Sequence, residues 1–206
     1  IFVKNPNQWR HKALTGEQVE RFRAAREASP IEAVVAHASY LVNLAARDRS
    51  TLERSRRALA DELCRCNRLG VDGLMFHPGA HMGRGERAGL ERIADSVNRV
   101  LETYAERERR HGRRARSRLL FENTAGQGTV LGYRIGQLGE IRERLERPEL
   151  TGLCLDTCHA FAAGYPLHRP RGLGSLLRRV RDALGNDQPD CIYVNASLRP
   201  IGARID

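Results

Sequence analysis

Short apolar runs alternate along this chain with longer stretches in which apolar residues recur every three or four positions. The runs at 1–4, 31–37, 73–77, 119–122, 152–156 and 191–195 predict six strands, and the stretches at 15–28, 52–69, 86–111, 134–147 and 173–184 predict five helices between them. In the stretch at 52–69, Leu52, Leu59, Leu63 and Leu69 stand among charges as an amphipathic helix that Gly70 ends. Strands separated by helices pair in parallel, and a run such as Leu119-Leu120-Phe121, apolar at every position, suits a strand covered on both faces. Two α/β architectures share this signature, an open doubly wound sheet and a (β/α)8 TIM barrel. A complete barrel takes ~250 residues, so about six βα units in 206 residues make either an open sheet or an incomplete barrel.

No linker, low-complexity segment or short repeat divides the chain, so residues 1–206 read as one domain. With 41% hydrophobic residues it has enough apolar material to bury about two-thirds of its unfolded surface. The 35 basic and 25 acidic residues leave a net charge of +10, and apart from Lys4 and Lys12 every basic residue is arginine. A field of this sign concentrates polyanions, of which nucleic acid is the commonest. Arginine in such excess over lysine also arises from a GC-rich genome. Five cysteines are too few, and odd in number, for a disulfide scaffold, which points to a reducing, cytoplasmic setting. No apolar run approaches the ~18 residues of a membrane span and no signal pattern opens the chain, so no membrane partner is expected; the sequence does not set the oligomeric state, for which a monomer is the default expectation. The chain begins at Ile1 rather than at methionine, as a fragment would.

Chemistry gathers at the strand ends. His37 closes the second run, His77 the third, Glu122 the fourth and Asp156 the fifth, with His159 three residues later. The separations of 40, 45 and 34 residues are one βα unit each, so a parallel sheet brings these side chains to the single rim where such folds place their sites. Imidazole and carboxylate together suit zinc or manganese, and a carboxylate such as Glu122 can give one oxygen to each of two ions. A strand-end histidine alone is often a hydrogen-bonded structural residue, but the same residue types in phase over consecutive units favour a metal cluster. His81 follows His77 by four, yet Pro78-Gly79 breaks any helix between them and removes the zinc-protease geometry. The basic run at 110–118 precedes a strand and belongs to the opposite face, and Gly126, Gly128 and Gly132 lack dinucleotide-loop spacing. Cys154 and Cys158 flank Asp156 and read as small buried hydrophobes.

Four motifs stand together in order: Phe-Val-Lys-Asn-Pro-Asn-Gln-Trp at 2–9, Phe-His-Pro-Gly-Ala-His at 76–81, Glu-Asn-Thr-Ala-Gly-Gln-Gly at 122–128 and Leu-Asp-Thr-Cys-His-Ala-Phe-Ala-Ala-Gly-Tyr at 155–165. With these the chain resembles the endonuclease IV family, zinc-dependent apurinic/apyrimidinic endonucleases on a (β/α)8 barrel, over its whole length. The resemblance implies that His37 and His77 hold one zinc, that Glu122 bridges it to a second shared with Asp156, and that His159 and Asp206 hold a third. It implies hydrolysis of the phosphodiester 5′ to an abasic site in double-stranded DNA, by a metal-bridging hydroxide at Glu122, with up to three zinc ions as cofactors. The loops after the first strands would then contact DNA through Asn5, Asn7, Trp9, Tyr40 and Leu41, with Tyr40 and Leu41 wedged into the base stack.

The chain also departs from that pattern. The family's His-Leu-Asn-Asp motif reads Tyr193-Val194-Asn195-Ala196 here, and a phenol with a pKa near 10 must lose its proton before it binds a cation. The first and last barrel strands, with the family's last ligands, have no counterpart between Ile1 and Asp206, so fewer ions are expected. Two other readings follow: a weakly metal-binding or inactive remnant of the family, and a metal-dependent sugar isomerase or epimerase on the same barrel.

Overall fold

A computed structural model describes residues 1–185 and 188–205. Its elements run α1 (Gly16–Glu27), β1 (Val35–His37), α2 (Arg49–Leu69), β2 (Gly73–Phe76), β3 (Gly79–Ala80), α3 (Glu86–Arg110), β4 (Arg118–Glu122), β5 (Val130–Leu131), α4 (Ile135–Arg142), β6 (Thr151–Asp156), α5 (Thr157–Ala162), α6 (Gly172–Leu184) and β7 (Cys191–Tyr193). Strands β1, β2, β4, β6 and β7 form one parallel sheet in chain order, as consecutive staves of a barrel do, while β3 and β5 make a small antiparallel ribbon. The sheet is the arc of an incomplete TIM barrel.

Period-two alternation gives the arc two faces. Ala36, Leu74, Phe76, Leu119, Phe121, Leu153 and Leu155 point outward into the main core, where α2 packs on α3, α3 on α4 and α4 on α6. Met75, Leu120 and Cys154 form a separate inner cluster with Val35 and Cys191 beside it. The helices end where their chemistry directs. Asp48 caps α2 by accepting from the Thr51 N–H at 2.7 Å, and Gly70 closes it at φ 77°, a conformation that costs glycine little. No helix among the described residues is long and apolar enough to cross a membrane.

Three expected elements are corrected. Residues 1–4 do not make a strand. Ile1 exchanges two backbone bonds with β1, its N-terminus donating to the Val35 carbonyl at 3.1 Å and its carbonyl accepting from His37 N–H at 2.9 Å, before the chain turns inward at Lys4. The run at 31–37 is strand only from Val35, because the Asp72 carboxylate takes the Val34 N–H at 2.8 Å. The helix expected to reach 147 stops at Arg142, where Asn98 on α3 donates to the Arg144 carbonyl and accepts from the Glu146 N–H, both at 3.0 Å.

Candidate metal centre

Inward positions recur at every second residue, so each strand that ends pointing inward delivers its last side chain to the rim. His37 ends β1, His77 follows β2 directly, Glu122 ends β4 and Asp156 ends β6. Asp156 also starts α5: its carboxylate accepts from the His159 N–H at 2.7 Å, which fixes both the helix and the position of His159. The structure therefore brings together all five of these residues, in two groups of three that share Glu122: His37, His77 and Glu122, and Glu122, Asp156 and His159.

The two oxygens of Glu122 face different partners. Oε2 lies 3.1 Å from His37 Nε2 and 3.5 Å from His77 Nε2, while Oε1 lies 3.2 Å from His159 Nδ1. Ligands ~2.0–2.1 Å from a tetrahedral zinc stand about 3.3 Å apart, so the first group is spaced as ligands of one ion would be. His37 Nδ1 is 2.7 Å from the Ala38 carbonyl, a contact that puts the ring proton on Nδ1 and leaves Nε2, the atom facing Glu122, as the one that can bind a cation. Oε2 is buried and has no aligned hydrogen-bond donor among the described residues. A buried carboxylate oxygen in that position costs free energy that a cation would recover.

Electrostatics agree with the geometry. Burial pushes the Glu122 carboxyl up, but His159, His37 and His77 outweigh it and hold the group well below the usual carboxylate range. Burial depresses His37, yet the contacts with Glu122 and the Ala38 carbonyl win and raise it. Asp156 is raised, chiefly by burial, against the backbone N–H of His159. The result is an anionic centre ringed by imidazoles, with the donor types that could hold a cation.

A cavity of about 510 Å³ opens over this cluster, with Phe2, Tyr40, Tyr193 and Asn195 on its walls. Tyr40 is exposed and packs against His37 at 5.2 Å between ring centroids. Leu41, expected to be exposed beside it, is half-buried. Asn5 and Asn7 are exposed on the adjoining loop, and Trp9 lies half-buried under the Arg54 guanidinium at 5.5 Å. Tyr193 stands in register with Asp156, level with the ligands. Asp206 lies outside the described residues. The arginines of 110–118 stand before β4 or at its first residue, at the opposite end, where Arg113 pairs with Glu108 at 2.7 Å and Arg118 with Asp190.

One residue escaped the sequence reading. Asn123, 1% exposed, donates through Nδ2 to the Asp156 carbonyl at 3.0 Å and accepts through Oδ1 from the Asp156 N–H at 2.7 Å, while its own carbonyl lies 2.9 Å from His159 Nδ1. It ties the end of β4 to that of β6 and orients an imidazole. Its only sequence signal is its place directly after a strand-end carboxylate.

A parallel arc with imidazoles and carboxylates converging at its carboxyl end defines a TIM-barrel protein with a candidate multinuclear metal centre. The model of the xylose isomerase-like TIM barrel family matches residues 1–205. Over 206 residues the chain is 41% identical to the probable endonuclease 4 of Chloroflexus aurantiacus, covering 100% of itself and 70% of that protein. It superposes on the crystal structure of endonuclease IV from Thermus thermophilus with a TM-score of 0.82 at 38% identity, covering 100% of itself and 68% of that chain. The chain belongs to the endonuclease IV family. A D-tagatose 3-epimerase-like protein shares the fold alone, at 18% identity, a TM-score of 0.61, and coverage of 88% of this chain and 62% of that one.

Proposed function

We propose that residues 1–206 act as one partial-barrel domain that binds zinc at the rim and hydrolyses double-stranded DNA 5′ to an abasic site, as part of DNA repair. The observation that carries this reading is the sharing of Glu122 by the two ligand groups, together with the buried Oε2, for which the described residues offer no aligned donor. His37 and His77 would hold one ion with Glu122, and Asp156 and His159 would complete a second group with it. Asp206 is proposed as a further ligand from the family resemblance. Zinc, when bound, acidifies water and offsets phosphate charge.

The chain's own residues supply the rest. Glu122 stays ionised because three imidazoles face it, so it presents both oxygens as anions. Asn123 and the capping bond from His159 hold Asp156 in place. Tyr40, exposed beside His37, has the position to enter a helix at a gap in its stack, where unstacking costs least. Asn5, Asn7 and Trp9 line the neighbouring approach, and Leu41, half-buried, follows Tyr40 in the same segment. The chain's net charge of +10 favours a polyanion over a neutral sugar.

The test incubates the zinc-loaded protein with an abasic-site duplex, an intact duplex and a ketose, each with and without chelator. Chelator-sensitive incision of the abasic duplex alone supports the reading. Turnover of the ketose would move the chain to the epimerases, and chelator-resistant binding without incision would make it a non-catalytic relative.

A further inference from the structure

Beneath the rim, a buried ion pair ties together the two segments that face the proposed DNA side. Lys4 Nζ and Glu62 Oε1 stand 3.5 Å apart with each side chain 1% exposed. The Lys4 ammonium also donates to the Gln8 carbonyl at 2.9 Å, inside the loop that carries Asn5, Asn7 and Trp9. Glu62, on α2, accepts from the Ser39 N–H at 3.1 Å, immediately before Tyr40 and Leu41. The Ser39 hydroxyl then crosses between the two segments, donating to the Pro6 carbonyl at 2.6 Å and accepting from the Leu41 N–H at 3.4 Å. Arg65, one turn further along α2, donates to the Val3 carbonyl at 2.9 Å and anchors the start of the same loop.

A buried ion pair is a poor source of stability, because desolvation offsets most of the attraction and apolar residues of similar size often replace it without loss. What an apolar pair cannot replace is the set of hydrogen bonds that Lys4 and Glu62 make to loop backbone. We propose that Lys4 and Glu62 are a positioning pair that sets the 5–9 loop and the Tyr40 segment against each other over the metal centre, and so governs affinity for damaged DNA rather than the chemical step. This rests on the DNA reading given above.

The chain carries a single tryptophan, Trp9, inside the tethered loop, so its fluorescence reports the tether without any DNA. Lys4→Met, Glu62→Gln and the double variant Lys4→Met/Glu62→Met are compared with the parent in zinc at about pH 8, above the value near 7 to which burial lifts the Glu62 carboxyl. Each single variant is expected to expose Trp9 to acrylamide quenching and to weaken abasic-duplex binding about tenfold, a loss of ~1.4 kcal/mol. Its kcat at saturating DNA should stay within about twofold of the parent. The double variant is expected to regain the parent's Tm while quenching stays high and binding stays weak, and it decides the matter if the single variants do not fold. Recovery of binding together with Tm in the double variant would reduce the pair to packing, and unchanged Trp9 quenching in all variants would remove the tether. A parent protein that binds abasic and intact duplexes alike would instead overturn the DNA role of the loops, a failure separable from the first two because the Trp9 signal is read without DNA.

Discussion

Replacing Asn123 with alanine removes a residue that touches no ion in the proposed centre yet holds two of its ligands. The side chain is buried and makes a donor and an acceptor bond to the backbone of Asp156, at 3.0 and 2.7 Å. Leaving that buried carbonyl and N–H without their partner costs ~1–3 kcal/mol each, so about 3 kcal/mol in total is a moderate expectation. For a chain of 206 residues, at ~2–4 °C per kcal/mol, this corresponds to a Tm lower by about 6–12 °C. Scanning calorimetry in chelator isolates this folding term. Zinc affinity, read by competition with a chromophoric chelator, should fall ~10–100-fold because the segment bearing Asp156 and His159 is no longer pinned. Asn123→Asp keeps the acceptor, loses the donor and adds a third carboxylate beside Glu122 and Asp156, so it should lose about half as much Tm and retain zinc better than alanine does. A Tm within ~2 °C of the parent together with unchanged zinc affinity in Asn123→Ala would refute the idea that this residue assembles the centre.

Further outcomes follow from the same geometry. Glu122→Gln removes the charge common to both ligand groups and should abolish incision, whereas Arg114→Ala should leave initial rates nearly unchanged, because Arg114 is exposed before β4 and, among the described residues, is bonded through its backbone carbonyl, by Asn67 at 3.0 Å. Equal losses in the two variants would overturn their placement at opposite ends. Tyr193→His restores an imidazole in register with Asp156, so zinc occupancy should rise at neutral pH, where the phenol is still protonated. No gain by elemental analysis would separate Tyr193 from the centre. Burial lifts Glu62 from 4.5 to about 7, so across that interval the folded chain keeps a proton that the unfolded chain has released. Stability from this group is full below about pH 4.5 and is lost as the pH rises to about 7, ~3 kcal/mol in all, and urea melts of Glu62→Gln should show a flatter pH dependence.

How much of this was legible in the sequence depended on whether a feature followed chain periodicity or tertiary contact. His37, His77, Glu122 and Asp156 were readable because period-two alternation and the length of a βα unit fix both the face and the end at which a strand's last side chain emerges. His159 was readable as a ligand type but not as part of a helix, since α5 is six residues long and depends on Asp156 as its cap. The misread boundaries have remote causes: Asp72 shortens β1, Asn98 ends α4, and beyond Ile1 the buried Lys4 takes the chain away from the sheet edge. Asn123 carried little signal beyond its place after Glu122, and Glu62 none, because their importance lies in which backbone groups they meet, 33 and 23 residues away. Leu41 looked like part of an exposed pair, but its backbone bond to Ser39 turns it half inward.

In the proposed centre, side chains spread from His37 to His159 share cations at one rim. Elemental analysis of zinc per chain, on the parent and on His37→Ala purified in parallel, tests it most directly. Bound zinc is expected in the parent and at least one equivalent fewer in the variant; the same stoichiometry in both, or none in the parent, would rule out a shared cation centre.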